Sequence, residues 1–288
     1  ALKADTCIVC DTGMWDPETP AITSRLRGLV YIEATLHGPS HDLHSGSYGG
    51  AVVNPANALT AILGQLHDSE GKVQIDGFYD DVEIVSTEQI AQWNALGDAD
   101  ALTLESSGAK VTFGEKGYST LERLWSRPTC DINGLRAGYI GEGAKTVIGA
   151  TATAKISCRL VAHQKPEEIQ KALFTFLEER TPEGCRWDLK SFGTAPAISV
   201  PTESPWLSAA SEALTSVFPK PAVLIGTGGS IPVVGEFQEI LGVDAVMIGF
   251  SLDDDLIHAP NEKFNIDCFH RGILAQAAIL EAYANIHV

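Results

Sequence analysis

The sequence predicts an α/β fold in which a Rossmann-like, mainly parallel sheet is interrupted by an inserted ferredoxin-like α+β domain. Short apolar strands alternate with helical segments after Pro201, an order typical of a parallel sheet covered by helices. Residues 5–11 form another apolar run between acids, which predicts a strand buried on both faces. Residues 28–192 follow the order strand, helix, strand, strand, helix, strand, which is that of a ferredoxin-like sandwich.

The inserted domain is predicted over residues 24–197. Its expected elements are a strand over residues 28–37, a helix from Asn54-Pro55, an irregular helical insertion over residues 76–128, a strand over 152–161, a helix over 166–180 and a strand over 185–192. Residues 152–161 alternate apolar and polar side chains, as in a half-buried strand of an antiparallel sheet. Ser86 and Gln89 have the spacing of a capping box at the start of a helix.

The outer domain is predicted over residues 1–23 and 198–288. After the insertion we expect a helix from Ser204-Pro205, a strand over 222–225, a helix from Pro232, a strand over 245–250 and a helix over 266–284. Proline in the first turn and apolar residues at helical spacing support these helices.

Composition excludes several classes of protein. The chain has 288 residues and a formal net charge of −17, which disfavours nucleic acid and anionic membranes as partners. Its apolar runs fall far short of the roughly 20 residues of a membrane-spanning helix. Six scattered cysteines fit a reducing cytoplasm better than a disulfide framework. Cys7 and Cys10 form a C-x-x-C without the second pair that a zinc ribbon needs.

Polar residues follow three of the predicted strands of the outer sheet. Asp11 follows the first strand, the glycine loop 226–230 follows the second, and His258 lies in the loop after residues 245–250. Ligands of open parallel sheets bind outside the carboxyl ends of the strands. A carboxylate and an imidazole there suit Zn²⁺ or Mn²⁺, so a metal site is one interpretation.

Structural interpretations stand beside these functional ones. Asp11 is as well placed to cap a turn as to bind a metal, and His258 is one of eight histidines. The glycine loop favours an anion at a helix N-terminus, but taken by itself it is slightly better explained as a tight turn. Arg159 lies on the polar face of its strand, where it either binds a carboxylate or faces solvent. The run Asp253-Asp254-Asp255 is expected to be a solvated loop, since calcium-loop spacing is missing.

Five ordered motifs resemble those of the carnosinase and cytosolic nonspecific dipeptidase family of dinuclear-metal exopeptidases. They are Asp42-Leu43-His44-Ser45-Gly46 with Gly49-Gly50, Gly143-Ala144-Lys145-Thr146-Val147-Ile148, Arg159-Leu160-Val161, Gly228-Gly229-Ser230-Ile231-Pro232 and His258-Ala259-Pro260-Asn261-Glu262. The resemblance covers nearly the whole chain. The sequence departs from the family at Gly149, where proline is usual, and at Gly226 and Thr227, where arginine and glutamate are frequent.

The resemblance implies a role for each matching residue. Asp11 and His258 correspond to ligands of a zinc or manganese pair, one to each ion, and His44 to a residue that stabilises the oxyanion in the partner subunit's site. Residues matching positions that hold the substrate are Thr146, Arg159, Gly229 and Ser230. The implied reaction is hydrolysis of the amide bond of dipeptides or short peptides by a water activated between two metals. A homodimer through the inserted domain is expected.

The family's H-x-D and Glu-Glu motifs, which supply the bridging ligand and the general base, precede the strand of Asp11. Only ten residues precede Asp11 here. The chain is therefore expected to be the C-terminal part of such an enzyme and to be inactive alone. Two other functions remain open: an N-acyl amino acid amidohydrolase of the same architecture, and a non-catalytic dimerisation or peptide-binding module.

Overall fold

A computed structural model describes residues 3–229 and 231–286, with only the backbone described for Pro232. The chain divides into two compact units. Unit 1 contains Ala1–Arg27 and Ala197–Val288, and unit 2 contains Gly28–Pro196. Each unit is described by itself.

Strands and helices alternate irregularly along the chain. The strands are β1 (Thr6–Cys10), β2 (Ala21–Leu26), β3 (Gly28–His37), β4 (Leu43–His44), β5 (Thr129–Ala137), β6 (Val147–Ile148), β7 (Thr151–Leu160), β8 (Arg186–Ala195), β9 (Ile198–Ser199), β10 (Val223–Thr227) and β11 (Asp244–Ile248). The α-helices are α1 (Ser45–Tyr48), α2 (Pro55–Leu63), α3 (Thr87–Asn94), α4 (Ala99–Ser107), α5 (Thr120–Trp125), α6 (Pro166–Glu179), α7 (Pro205–Val217), α8 (Pro232–Glu236) and α9 (Ile266–Ala284). A π-helical turn, Phe237–Leu241, continues α8, and a 3₁₀ turn covers Asp253–Asp255.

Unit 1 is built on a mixed sheet, which confirms the α/β class. Its strand order is β1-β11-β2-β10, with β9 also paired to β2. The pairs β1–β11 and β2–β10 are parallel, whereas β11 and β2 are antiparallel. Helices α7 and α9 pack together, and Leu214 and Ile279 join Val246 in the core.

Strand β2 has no counterpart among the predicted strands. Its residues Thr23 and Ser24 are 1% and 3% exposed, so polar side chains occupy buried positions of a central strand. The Ser24 hydroxyl is satisfied by donating to the Ile225 carbonyl at 3.2 Å. Without an apolar run, the hydrophobic pattern that identifies buried strands is missing there.

Unit 2 has the predicted antiparallel sandwich. The sheet order is β5-β7-β3-β8, the ferredoxin-like arrangement for the chain order β3, α2, β5, β7, α6, β8. Strand β7 alternates as predicted, and Ala154 and Ile156 are fully buried with Leu59 of α2 and Leu173 of α6. The two helices therefore cover one face of the sheet.

The insertion between α2 and β5 has a small core of its own. Ser86 Oγ accepts the Gln89 amide at 3.2 Å, which confirms the predicted start of α3. Trp93 packs edge-on against Trp125 with ring centroids 5.3 Å apart. Near it, the Arg127 guanidinium makes two 2.8 Å bonds to the Glu115 carboxylate. Across the described residues, no helix is both long enough and apolar enough to span a membrane.

Candidate functional site

Asp11 lies at the carboxyl end of β1, where the backbone is fastened to the segment after β11. The Met14 amide donates to the Ser251 carbonyl at 2.9 Å, and Ser251 Oγ donates to the Thr12 carbonyl at 3.0 Å. A Cβ on Gly249 would lie 1.5 Å from the Thr12 oxygen, so only glycine fits at this crossing. Asp11 is therefore held, exposed, beside the start of the loop that contains His258.

The His258 loop is organised by a buried carboxylate. Asp255 is 1% exposed and accepts bonds from the Leu252 amide at 2.8 Å and from Lys263 Nζ at 2.7 Å. The Lys263 amide also donates to the Asp255 carbonyl at 2.9 Å, which closes the loop at its far end. His258 lies between these anchors, exposed, with a φ of 64°.

Asp255 corrects the expectation that residues 253–255 form a solvated run. Asp253 and Asp254 are exposed as expected, but Asp255 is buried. Burial works to raise the pKa of the Asp255 carboxyl, yet the hydrogen bonds from Lys263 and from the Leu252 amide outweigh it and hold the pKa below its usual range. No pattern distinguishes the third aspartate from the first two, although a lysine eight residues on is a potential partner for any of them.

Asp11 and His258 have the chemistry of metal ligands but form an incomplete set. An exposed carboxylate and an exposed imidazole at one end of the parallel pair β1–β11 fit a divalent transition metal. Among residues 3–229 and 231–286, no three His, Cys, Asp or Glu side chains converge to hold an ion.

The glycine loop after β10 lies at the other end of the strands. Strand β10 runs parallel to β2 and β2 runs antiparallel to β11, so β10 ends where β11 begins. The expectation that all three loops share one edge was therefore wrong for the end of β10, because the sheet is mixed. Gly229 is exposed, and its amide donates to Thr227 Oγ1 at 3.3 Å. Ser230 falls outside the described residues.

In unit 2, the structure brings His44 and Thr146 together. Strands β4 and β6 pair His44 with Val147, and the Ser45 amide donates to the Thr146 carbonyl at 3.0 Å. Asp42 reinforces the pairing, since its carboxylate accepts the Ala150 amide at 2.9 Å. Two motifs about a hundred residues apart in sequence thus form one polar surface.

The proton on the His44 ring is assigned by its local bond. His44 Nδ1 accepts the Gly46 amide at 3.0 Å, as the cap of the short helix α1. A neutral imidazole that accepts at Nδ1 carries its proton on Nε2. Because the side chain is exposed, Nε2–H is available to donate to an oxygen that acquires negative charge.

Arg159 lies far from this surface, although it belongs to the same unit. It is half-buried near the end of β7, paired with Leu29, whereas Thr146 precedes the start of that strand. From Thr151 to Arg159 the strand advances about 26 Å at about 3.3 Å per residue. A dipeptide spans roughly 7 Å. The start of β7, which Thr146 precedes, is therefore much farther from Arg159 than one dipeptide spans.

Comparison with known proteins shows one matching family model and several relatives with similar sequences. Residues 25–185 match the family described as the peptidase dimerisation domain, M20_dimer. The Cys-Gly metallodipeptidase DUG1 of Saccharomyces cerevisiae is 30% identical over 285 residues, covering 97% of this chain and 59% of that protein. The human Beta-Ala-His dipeptidase is 31% identical over 286 residues, covering 97% and 56%. The chain thus spans less than two thirds of the length of these relatives.

Solved structures are similar over almost all of the chain. Dug1p of S. cerevisiae, a dipeptidase, has a TM-score of 0.81 at 27% identity, with 99% of this chain and 60% of that chain covered. Sso-CP2 of Sulfolobus solfataricus, an M20 family metallo-carboxypeptidase, has a TM-score of 0.85 at 30% identity, with 99% and 65% covered.

Proposed function

The chain belongs to the M20 peptidase family, and on that premise we propose that it takes part in metal-dependent hydrolysis of dipeptides or short peptides. The observation that carries the proposal is the fastening of the Asp11 backbone to the loop of His258, which brings two ligand types to one end of a sheet. The substrates named for the relatives, Cys-Gly and β-Ala-His, define the first dipeptides to test.

In this proposal Asp11 and His258 each hold one ion of a zinc or manganese pair. The pair, when bound, supplies a water of lowered pKa as the nucleophile. His44 Nε2–H donates to the carbonyl oxygen of the scissile amide as negative charge develops there. Loss of a single such donor typically reduces the rate by about 10²–10³.

Substrate binding is assigned to Thr146 and Arg159. Gly229 lies at the opposite end of the sheet from Asp11 and His258, so it is not assigned to a dipeptide bound beside them. The Arg159 guanidinium suits the carboxylate of a peptide, with two parallel N–H···O bonds. Because the start of β7, which Thr146 precedes, is much farther from Arg159 than one dipeptide spans, the proposal places the two residues in different sites. We therefore assign His44 and Thr146 to the partner's site in a homodimer formed through unit 2, which contains most of the matched dimerisation domain.

A cytoplasmic location is part of the same proposal. Cys130 and Cys158 lie directly opposite each other in strands β5 and β7, yet both are free thiols. The other four cysteines are free as well. Disulfides are rare in reducing compartments, which is consistent with this pattern.

Calorimetry of zinc or manganese binding tests the two proposed ligands. Asp11→Ala and His258→Ala are each expected to abolish weak binding of the one ion that the residue holds, because each removes a ligand. Asp253→Ala, which removes an exposed carboxylate from the same loop as His258, is the matched control and should bind as wild type does. Unchanged affinity in both variants would remove the metal role.

Hydrolysis assays test the reaction itself. The chain alone is expected to give no metal-dependent turnover of Cys-Gly or β-Ala-His, since its described residues lack a complete ligand set. Once the missing ligands are supplied, dipeptides should be cleaved faster than N-acetyl amino acids. The opposite preference would replace the dipeptidase by an amidohydrolase of the same architecture.

A further inference from the structure

Two buried cysteines of unit 2 lie directly opposite each other in neighbouring strands. Cys130 of β5 is paired with Cys158 of β7, and the register stays regular from Thr129 to Ile132. Residues directly opposite each other in an antiparallel pair have Cα atoms about 4.5 or 5.5 Å apart and side chains on the same face. A disulfide needs a Cα separation of about 4.4–6.8 Å. The backbone at this pair therefore allows a disulfide without having to move.

In the closed sheet both thiols are protected from oxidation. Cys130 is 1% exposed, and Cys158 is completely buried in the core of unit 2. A hydrogen bond to the Cys130 side chain, together with burial, raises the pKa of the Cys158 thiol well above its ordinary value. Since the thiolate is the form that reacts with oxidants, the closed pair reacts slowly.

The position of β5 gives the two thiols a route to solvent. Among the described strands, β5 is terminal in the order β5-β7-β3-β8 and pairs only with β7. Parting of β5 from β7 exposes both thiols together and leaves β3 paired with β7 and β8. Local opening of this kind requires less free energy than unfolding of the whole unit. It allows one thiolate to form while the second thiol remains nearby.

We propose that Cys130 and Cys158 form an oxidative modification site, at which a peroxide converts the two thiols into a disulfide between β5 and β7. The inference does not depend on the proposed peptidase function. It agrees with free thiols under reducing conditions, because cytosolic disulfides are typically transient and redox-sensing.

The reaction balances with hydrogen peroxide as the oxidant. One thiolate attacks a peroxide oxygen, the O–O bond breaks, and a sulfenic acid and a first water form. The other thiol then attacks the sulfenic sulfur, so that the S–S bond forms, the S–O bond breaks and a second water leaves. The two sulfurs together lose two electrons to the peroxide. The two thiol protons end in the two water molecules.

The disulfide closes the route by which β5 leaves the sheet. A covalent bond between β5 and β7 keeps the two strands from parting, so hydrogen exchange of the β5 amides should slow by at least about tenfold. Both strands lie in the segment that matches the dimerisation domain. Oxidation is therefore expected to stabilise one edge of that domain.

Peptide mapping of the full chain tests the proposal. The reduced protein is treated with hydrogen peroxide, remaining thiols are blocked with iodoacetamide, and the digest is analysed by mass spectrometry without reductant. We expect the peptides of Cys130 and Cys158 to be joined, with the loss of two hydrogen atoms, and to separate again in dithiothreitol.

Cys185, the remaining cysteine of unit 2, shows whether the peroxide treatment was effective. It is less buried than the pair and precedes β8, at the opposite end of the sheet from β5. Absence of the joined peptide after Cys185 has been oxidised would overturn the proposal. Cys130 and Cys158 joined to cysteines of other chains as often as to each other would overturn it as well.

Two matched variants connect the disulfide to the strand. Cys130→Ala removes one sulfur and should abolish both the joined peptide and the peroxide-induced slowing of β5 exchange. Cys185→Ala removes a thiol from the same unit and should leave both effects unchanged. Slowing that persists in Cys130→Ala would contradict the proposal. The peptide map of the unchanged chain decides the question if Cys130→Ala does not fold.

Discussion

The His44 ring is oriented by one hydrogen bond, which the backbone amide of Gly46 donates to Nδ1. This bond requires glycine at position 46, because a side chain there would meet the ring. A Cβ at position 46 would lie 2.8 Å from His44 Cε1 and 3.1 Å from Nδ1. The imidazole would have to turn away, and the bond that assigns its proton to Nε2 would be lost.

We expect Gly46→Ala to abolish the Nε2–H tautomer of His44 without unfolding the protein. Alanine is the better helix former, so backbone propensity does not oppose the change. Long-range ¹⁵N NMR of the imidazole measures the tautomer, and Ser47→Ala, at the next exposed position of α1, is the control. A His44 spectrum unchanged in Gly46→Ala would show that the amide does not set the tautomer.

Asp255 and Lys263 make the His258 loop sensitive to acid. Because the pKa of Asp255 is lower in the folded protein, its contribution to stability is present above the unfolded value of about 3.9 and is lost as the pH falls through the folded value. Removing the carboxylate should therefore flatten the loss of stability below about pH 4.

Urea unfolding at neutral and acidic pH measures this effect. Lys263→Met leaves a buried carboxylate without its cation, and we expect a lower free energy of unfolding at pH 7, by an amount that solvent reduces because Lys263 is 47% exposed. Asp255→Asn should show the flatter acid response. Asp254→Asn, whose side chain is 74% exposed, should change stability by less than about 0.5 kcal/mol. Equal effects of the two aspartate variants would refute the anchoring role of Asp255.

Among the elements, the crossing of Thr12 and Gly249 positions the candidate metal end of the sheet. We expect Gly249→Ala to destabilise unit 1 by about 3 kcal/mol, since its Cβ has no space beside a backbone carbonyl. Gly228→Ala is the matched control, because a Cβ there meets nothing within 4 Å. Denaturant midpoints compare the two variants. Equal stabilities of the Gly249→Ala and Gly228→Ala proteins would show that the backbone crossing of Thr12 and Gly249 can accommodate a Cβ, which would contradict the close contact.

The elements also show how far sequence patterns reach. Alternation along β7 and the caps of α2 and α3 are local features, and each predicted its element correctly. Strand β2 was not predicted, because its buried positions include the polar residues Thr23 and Ser24 and therefore do not form an apolar run. The direction of β10 relative to β11 was not predicted either, since a short apolar run does not show whether its strand is paired in parallel or antiparallel.

The sequence can propose candidate site residues from their type and their motifs. It cannot show which of them lie close together or which of them are buried, because both depend on the folded chain. The motifs predict roles for His44, Thr146 and Arg159, and these stay predictions. Only the register of β7 shows that Arg159 lies apart from the other two. Asp255 was missed because burial, rather than residue type, distinguishes it from Asp254.

At the scale of the whole molecule, we propose that each catalytic centre is formed by two copies of the chain. In this proposal one copy supplies Asp11 and His258, and its partner supplies His44 and Thr146. A symmetric dimer forms two such centres, because a two-fold axis exchanges the contributions.

Subunit exchange tests this arrangement most directly. Chains carrying His44→Ala and chains carrying His258→Ala are mixed, with the further metal ligands supplied and zinc or manganese present, and mixed dimers are isolated by two different affinity tags. Each homodimer lacks a residue at both centres, whereas each mixed dimer keeps one complete centre. We predict that mixed dimers hydrolyse dipeptide at about half the wild-type rate while both homodimers are nearly inactive. Isolated mixed dimers as inactive as the homodimers, beside an active wild-type protein, would contradict the shared centre.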